Sequence, residues 1–246
     1  MFENVSNNKT MILGAYKKLK SYYYYDKSAL YNKMRIAMWE HPIEDMGHRI
    51  DDLANFMQSL EGNIDNDYLS MLLKKIGLIP MPKSFSEKPK EEDVLQNVVS
   101  NDRKLTKINF YIKAPIELLI LDTIWTLMIS KIAYEQSCMP SFVCANRVKA
   151  KQVFNDKYDL FTGIDFESNR LFYPYFRQYS SWRDRAFENI KTRYEAHQDS
   201  ILVSLDIKNY FYSVIFDFDK LGMYLKDDSR LKSIQCLTDI IKNVHI

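Results

Sequence analysis

The sequence predicts an α+β fold, with helices gathered at the start of the chain and strands entering after them. Three observations predict it. Only 6 glycines and 7 prolines occur in 246 residues, so few tight turns are built in and helix is favoured. Up to residue 79, apolar side chains recur at helical spacing. Beyond that point two short runs of β-favouring residues, INFYI and ILVSLDI, break the period.

Residues 28–41 read as a helix with Leu30, Met34, Ile36, Ala37 and Met38 as its apolar set. Residues 43–60 repeat the pattern through Met46, Ile50, Leu53, Phe56, Met57 and Leu60, and Gly62 stops it. A third helix is expected over 66–76, ended by Gly77. Residues 80–93 carry three prolines and many charges and read as a linker. Residues 104–113 have strand character. Pro115 then sits where the first turn of a helix tolerates it, and 116–135 continues as a helix apolar nearly all round, hence central to a core. Residues 140–165 are mixed, and 169–193 are aromatic and basic, helical after Pro174. ILVSLDI, at 201–207, reads as a buried strand, and 219–244 as a further helix. The chain reaches Ile246 inside an apolar pattern and reads as interrupted there. The organisation expected is a helical region with its linker (1–93), a mixed region (94–197) and the start of a sheet (198–246). No internal repeat is present.

Net charge is +2, from 34 basic and 32 acidic side chains, so nucleic-acid binding has to rest on a local patch. Cys138, Cys144 and Cys236 show no C-x-x-C spacing, which suits a reducing compartment. The first residues lack the basic-then-apolar order of a secretory signal. The most apolar run, 116–129, contains Glu117 and Asp122 and falls short of the roughly 20 residues that span a bilayer. A soluble cytoplasmic protein with no membrane partner is expected.

The sharpest chemical feature is Asp206, an acid ending an apolar strand. Leu202, Ser204 and Asp206 share one face of that strand; Ile201, Val203, Leu205 and Ile207 share the other. Ionising such a carboxyl in isolation costs several kcal/mol, so it needs a cation. The plain alternative is an Asp capping the next turn, worth roughly 1 kcal/mol.

With its neighbours, Asp206 carries a resemblance. LDIKNYFYSV, at 205–214, resembles the first palm motif of reverse transcriptases. The resemblance implies that Asp206 is the catalytic ligand of two Mg2+ ions and that the backbone carbonyl of Ile207 helps to hold one. It also implies that Phe211 lies under the sugar of the incoming deoxynucleoside triphosphate and excludes a 2′-hydroxyl. Two hard cations about 3.5–4 Å apart activate the primer hydroxyl and stabilise the leaving oxygen.

Other segments follow in the expected order. Residues 112–135 resemble the fingers helix, and SFVCANR, ending at Arg147, is similar to a Ser-aromatic-…-Asn-Arg segment of bacterial, retron-like and phage-defence enzymes. Residues 173–190 look like the helix leading into the palm. The resemblance spans about 104–246 and fits the defence-associated bacterial group. It implies helical leader, fingers and the start of an antiparallel palm, an RNA template, a DNA product, and a partner protein or non-coding RNA.

There are departures. Where the family's fingers carry an Arg before the strand and a Pro after it, Lys107 and Lys113 are the nearest matches. A lysine there meets a triphosphate as a point charge, not as a fork. The aromatic-x-Asp-Asp hairpin and the Gly- and Gln-containing segment have no counterpart. Asp227-Asp228 follows Leu225-Lys226 in a helical pattern and reads as a solvated helix face. One carboxylate does not organise two magnesium ions, so these residues alone are expected to be inactive.

Between 170 and 193, Arg170, Arg177, Arg183, Arg185, Lys191 and Arg193 interleave with seven aromatics, among them Tyr179, Trp182 and Phe187. Arginines neutralise phosphates and aromatic faces stack bases, which makes a template or primer track with Arg177, Arg183 and Arg185 at its centre. The alternative is a helix with a basic solvent face and an aromatic core face. His41 and His48, with Glu44 and Asp45 between them, could share a helix face as metal ligands or stand as separate surface side chains. Tyr22 to Tyr25, beside Lys17, Lys18 and Lys20, suit packing, an interface or nucleic acid. Three readings result: an RNA-directed DNA polymerase, a catalytically inactive relative that binds nucleic acid or scaffolds a partner, and an unrelated helical interaction protein.

Overall fold

The computed structural model describes residues 4–25, 30–60, 66–85, 105–136, 148–155, 158–165, 167–203, 216–225 and 228–245. Four helices open the chain: α1 (Val5–Tyr25), α2 (Leu30–Glu40), α3 (Ile43–Ser59) and α4 (Asn66–Leu73). On α1, Asn8, Ile12, Ala15, Tyr16 and Leu19 are buried, a stripe at helical spacing. On α3 the buried set is Ile50, Leu53, Ala54, Phe56 and Met57, and Glu44 and Asp45 place negative charge at the positive end of the helix. The third helix ends at Leu73, short of the expected Ile76, because the chain turns there and enters a strand at Gly77.

That strand, β1 (Gly77–Phe85), pairs antiparallel with β2 (Leu105–Lys113). It corrects the linker assignment, since residues 80–85 are paired rather than linking. Pro80 lies opposite Phe110 and Pro82 opposite Ile108. Both prolines have the same parity, so their missing N–H groups fall on one edge of the ribbon, and an outer edge needs no donor. The same parity gathers Leu78, Pro80, Pro82, Ile108, Phe110 and Ile112 on one exposed face.

The centre of the molecule is α5 (Ile116–Glu135), the helix expected to be apolar all round. Ile116, Leu118, Ile120, Leu121, Ile124 and Leu127 are buried over more than half of its circumference. Helix α1 packs on α3 and α5, α2 on α1, α3 and α5, and α9 (Gln235–His245) on α5. The mixed region resolves into a hairpin, β3 (Ala150–Asn155) with β4 (Tyr158–Ile164), and β4 packs on α5. Two ladders of two strands each, with helices around them, make the chain α+β.

Polar groups tie the covering elements to α5. The Trp39 indole donates to Glu117 at 2.7 Å, the Trp125 indole to the Thr238 hydroxyl at 3.0 Å, and the Tyr134 hydroxyl to the Val148 carbonyl at 3.0 Å. A long helix, α6 (Tyr175–Glu195), follows Pro174 as expected.

Two expectations for the last third are corrected. Ile201, Leu202 and Val203 form no ladder and are exposed, Ile201 at 91%, so the described part of ILVSLDI is not a buried strand. The expected helix over 219–244 is broken into a 3-10 turn (Phe218–Lys220), α7 (Leu221–Tyr224), α8 (Arg230–Ser233) and α9. Asp217 caps the first piece by accepting from the backbone N–H groups of Asp219 and Lys220, and Asp228 accepts from the Arg230 N–H. Local carboxylate caps compete with helix continuation. No helix among the described residues is long and apolar enough to cross a membrane.

Leu121 is fully buried on α5, whereas Leu78 is 65% exposed on the ribbon. Leu121→Ala should cost about 2–5 kcal/mol in urea unfolding and Leu78→Ala under about 0.5 kcal/mol. Equal losses would contradict the placement of the core.

Candidate nucleic-acid interface

A buried cation on α1 sets the approach to α6. Lys18 is 1% exposed, and its ammonium donates to the backbone carbonyls of Asp165 at 2.7 Å, Arg170 at 3.5 Å and Ser168. The Asp165 carboxylate meets Lys149 at 3.1 Å and accepts from the Ser168 N–H at 2.9 Å. Burial pulls the Lys18 ammonium below its ordinary value, opposed by the charge of Asp165. Burial acts against ionised Asp165 too, but the Ser168 N–H and the cations Lys149 and Lys18 outweigh it and hold the carboxyl below its usual range.

One and two turns further along α1, the tyrosine run touches the same segment. Tyr22 meets Phe172 edge-on at 5.6 Å, and the Arg170 guanidinium lies 5.9 Å from the Tyr25 ring. Val148 bridges Phe172 antiparallel, which leads the chain through Pro174 into α6. Tyr22 and Tyr25 thus touch this segment while remaining exposed. Sequence reasoning missed Lys18. A lysine beside an apolar stripe ordinarily carries its charge out to water, and only the three carbonyls, some 150 residues away, turn it inward.

Helix α6 makes no extensive contact with another element among the described residues. Three aromatics along it stand in solvent: Tyr179 is 48% exposed, Trp182 52% and Phe187 58%. The alternative of an aromatic core face is thus not what this helix presents. Tyr179 and Trp182 lie one turn apart with ring centroids at 5.7 Å, and Ala186 and Ile190 continue their stripe. The three arginines are exposed but do not share a side. Arg183 and Arg185, two residues apart, project about 160° apart around the helix. Arg183 sits beside the aromatic stripe and pairs with Asp184 at 2.8 Å, a surface pair of small energetic weight.

Lys107 and Lys113 lie on β2, both exposed, opposite Ser84 and Gly77. They share a face with Tyr111, which is also exposed. Six residues of antiparallel strand separate them by roughly 20 Å, too far for both to hold one triphosphate. Asp206, Ile207, Phe211 and Arg147 lie outside the described residues.

Asp228 corrects the solvated-helix assignment. Its side chain is 13% exposed, accepts from Arg230 at 2.6 and 2.8 Å and from the Gln136 amide at 2.9 Å, and lies before α8 rather than on a helix. Arg230 also pairs with Glu135 of α5. His41 precedes α3, parted from it by Pro42, so it does not share a helix face with His48; Asp45 faces Arg49 at 3.7 Å. Among the described residues no three His, Cys, Asp or Glu side chains converge as a metal site.

No protein-family model matches the chain, and no curated protein or solved structure shows significant similarity to it.

A carboxyl held below its ordinary value of 3.8 stabilises the fold above that value, and the contribution is lost as pH falls through the lowered one. Asp165→Asn should lower the melting temperature at pH 7, and the gap to the unaltered protein should shrink below about pH 3. A gap of constant size at both pH values would remove the Lys18–Asp165–Lys149 cluster as its source.

Proposed function

We propose that this chain is part of an RNA-directed DNA polymerase of the bacterial defence-associated, retron-like kind. The observation that carries the reading is the run 204–214, SLDIKNYFYSV, in sequence order after the segments at 112–135, 141–147 and 173–190. In this reading Asp206 and the Ile207 carbonyl are oxygen ligands of the kind magnesium takes, joined by carboxylates that these 246 residues do not supply. Bound magnesium supplies the charge that activates a primer hydroxyl and steadies the departing pyrophosphate oxygen. Phe211 excludes the 2′-hydroxyl, one lysine of β2 meets the triphosphate, and Arg147 with the arginines of α6 meets the nucleic-acid backbone.

Two surfaces support the reading without deciding it. Exposed Tyr111 lies between Lys107 and Lys113 on one ribbon face, and exposed Tyr179 and Trp182 lie beside Arg183 on α6. Aromatic faces beside cations suit stacked bases and phosphates.

Primer extension on an RNA template by the natural protein tests the proposal. Outer partners of metal ligands typically cost about 10–100-fold when removed, and Asp206→Ala, which removes a direct ligand, should cost more. Phe211→Ala should raise ribonucleotide incorporation with deoxynucleotide synthesis retained. Full synthesis by the Asp206 variant would end the polymerase assignment. Salt-dependent RNA binding without any synthesis would favour the inactive, scaffold-like relative.

A further inference from the structure

Between α1, α5, the bend at 167–169 and the Arg230–Ile234 segment lies a groove of about 610 Å³, within the size range of small-molecule sites. Its floor is apolar, with Ile124, Leu127 and Ile132 of α5 buried beneath it. The nucleic-acid reading uses none of it.

Three features of the walls say what it takes. Gly14 lies in the middle of the 21-residue α1 and lines the groove, and a Cβ added there would meet nothing within 4 Å. Glycine is among the weakest helix formers, and here the fold gains no close contact in return for it. What the missing Cβ does provide is a bare stretch of helix backbone open to an occupant. The second feature is charge. Lys17 on α1 and Lys131 on α5 stand exposed on opposite walls, and neither has a hydrogen-bond or ion-pair partner among the described residues. The other two lining cations are committed, Lys18 to backbone carbonyls and Arg230 to Asp228 and Glu135. Glu167 is the one acid among the described lining residues. Third, the α5 side chains of the floor, Ile124, Leu127, Met128 and Ile132, are all apolar and offer no partner to a polar body.

We propose that this groove binds a small anionic amphiphile, an apolar body carrying one acidic head group. The apolar body lies over Gly14 and the α5 floor, and the head group meets Lys17 and Lys131 at the rim. Burying the body displaces water from apolar surface, while the two lysines select the sign of the head group.

Titration calorimetry of the natural protein with laurate, below its micelle concentration, tests this, with dodecyltrimethylammonium as the counterpart of opposite charge. Laurate should bind at one site and the cationic amphiphile should not. Lys17→Glu with Lys131→Glu should weaken laurate about tenfold or more. Gly14→Leu should occupy the place of the apolar body over α1 and weaken laurate, with a melting temperature no lower than that of the unaltered protein. The proposal is overturned if laurate does not bind. It is also overturned if both amphiphiles bind alike and the lysine inversion changes neither, which would assign the heat to the exposed apolar ribbon face.

Discussion

A helix whose apolar arc spans more than half of its circumference needs more than one cover. Helix α5 imposes that constraint on this chain, because Ile116, Leu118, Ile120, Leu121 and Ile124 bury over more than half of its circumference. Water must be excluded from that wide arc, so α1, α2, α9 and the β3–β4 hairpin are recruited as separate covers. Polar groups on or beside the helix then fix α2, α9 and the segments at Val148 and Arg230. Trp39 reaches Glu117 at the first turn, Thr238 receives Trp125 midway, and Tyr134 and Glu135 hold Val148 and Arg230 at the end. Burial supplies the drive and these bonds supply the register, since an unmet polar group in the same place would cost more than a bond gains.

The surface that carries the proposed function is placed by the same arrangement at one remove. Helix α1 is held by α5 and α3, and its Lys18 gathers three carbonyls of the 165–170 segment. That segment leads into α6, where Tyr179, Trp182, Phe187 and the arginines are in solvent. A rigid base with an exposed arm suits contact with an extended ligand. The groove between α1 and α5 is a further concavity, with Lys18 and Ser168 in its lining.

Much of the fold was legible where one local signal dominated. The apolar run after Pro115, the stripe of α3 and the start of α6 after Pro174 appear with the expected limits, because periodicity and proline act within a few residues. The errors share a cause in longer-range pairing. Prolines at 80 and 82 read as a linker until Phe110 and Ile108 are placed opposite them. Asp228 read as solvated until Arg230 and Gln136 close on it. Lys18 was silent because its partners lie far along the chain. The run 204–214 lies outside the described residues, so there only the residue types and their order are legible.

The most direct measurement is a structure of the natural protein with magnesium, a primer–template and a deoxynucleoside triphosphate. The account predicts the Asp206 carboxylate at about 2.1 Å from magnesium, facing the triphosphate. An Asp206 side chain capping its own turn or pointing into bulk water in that complex would contradict it.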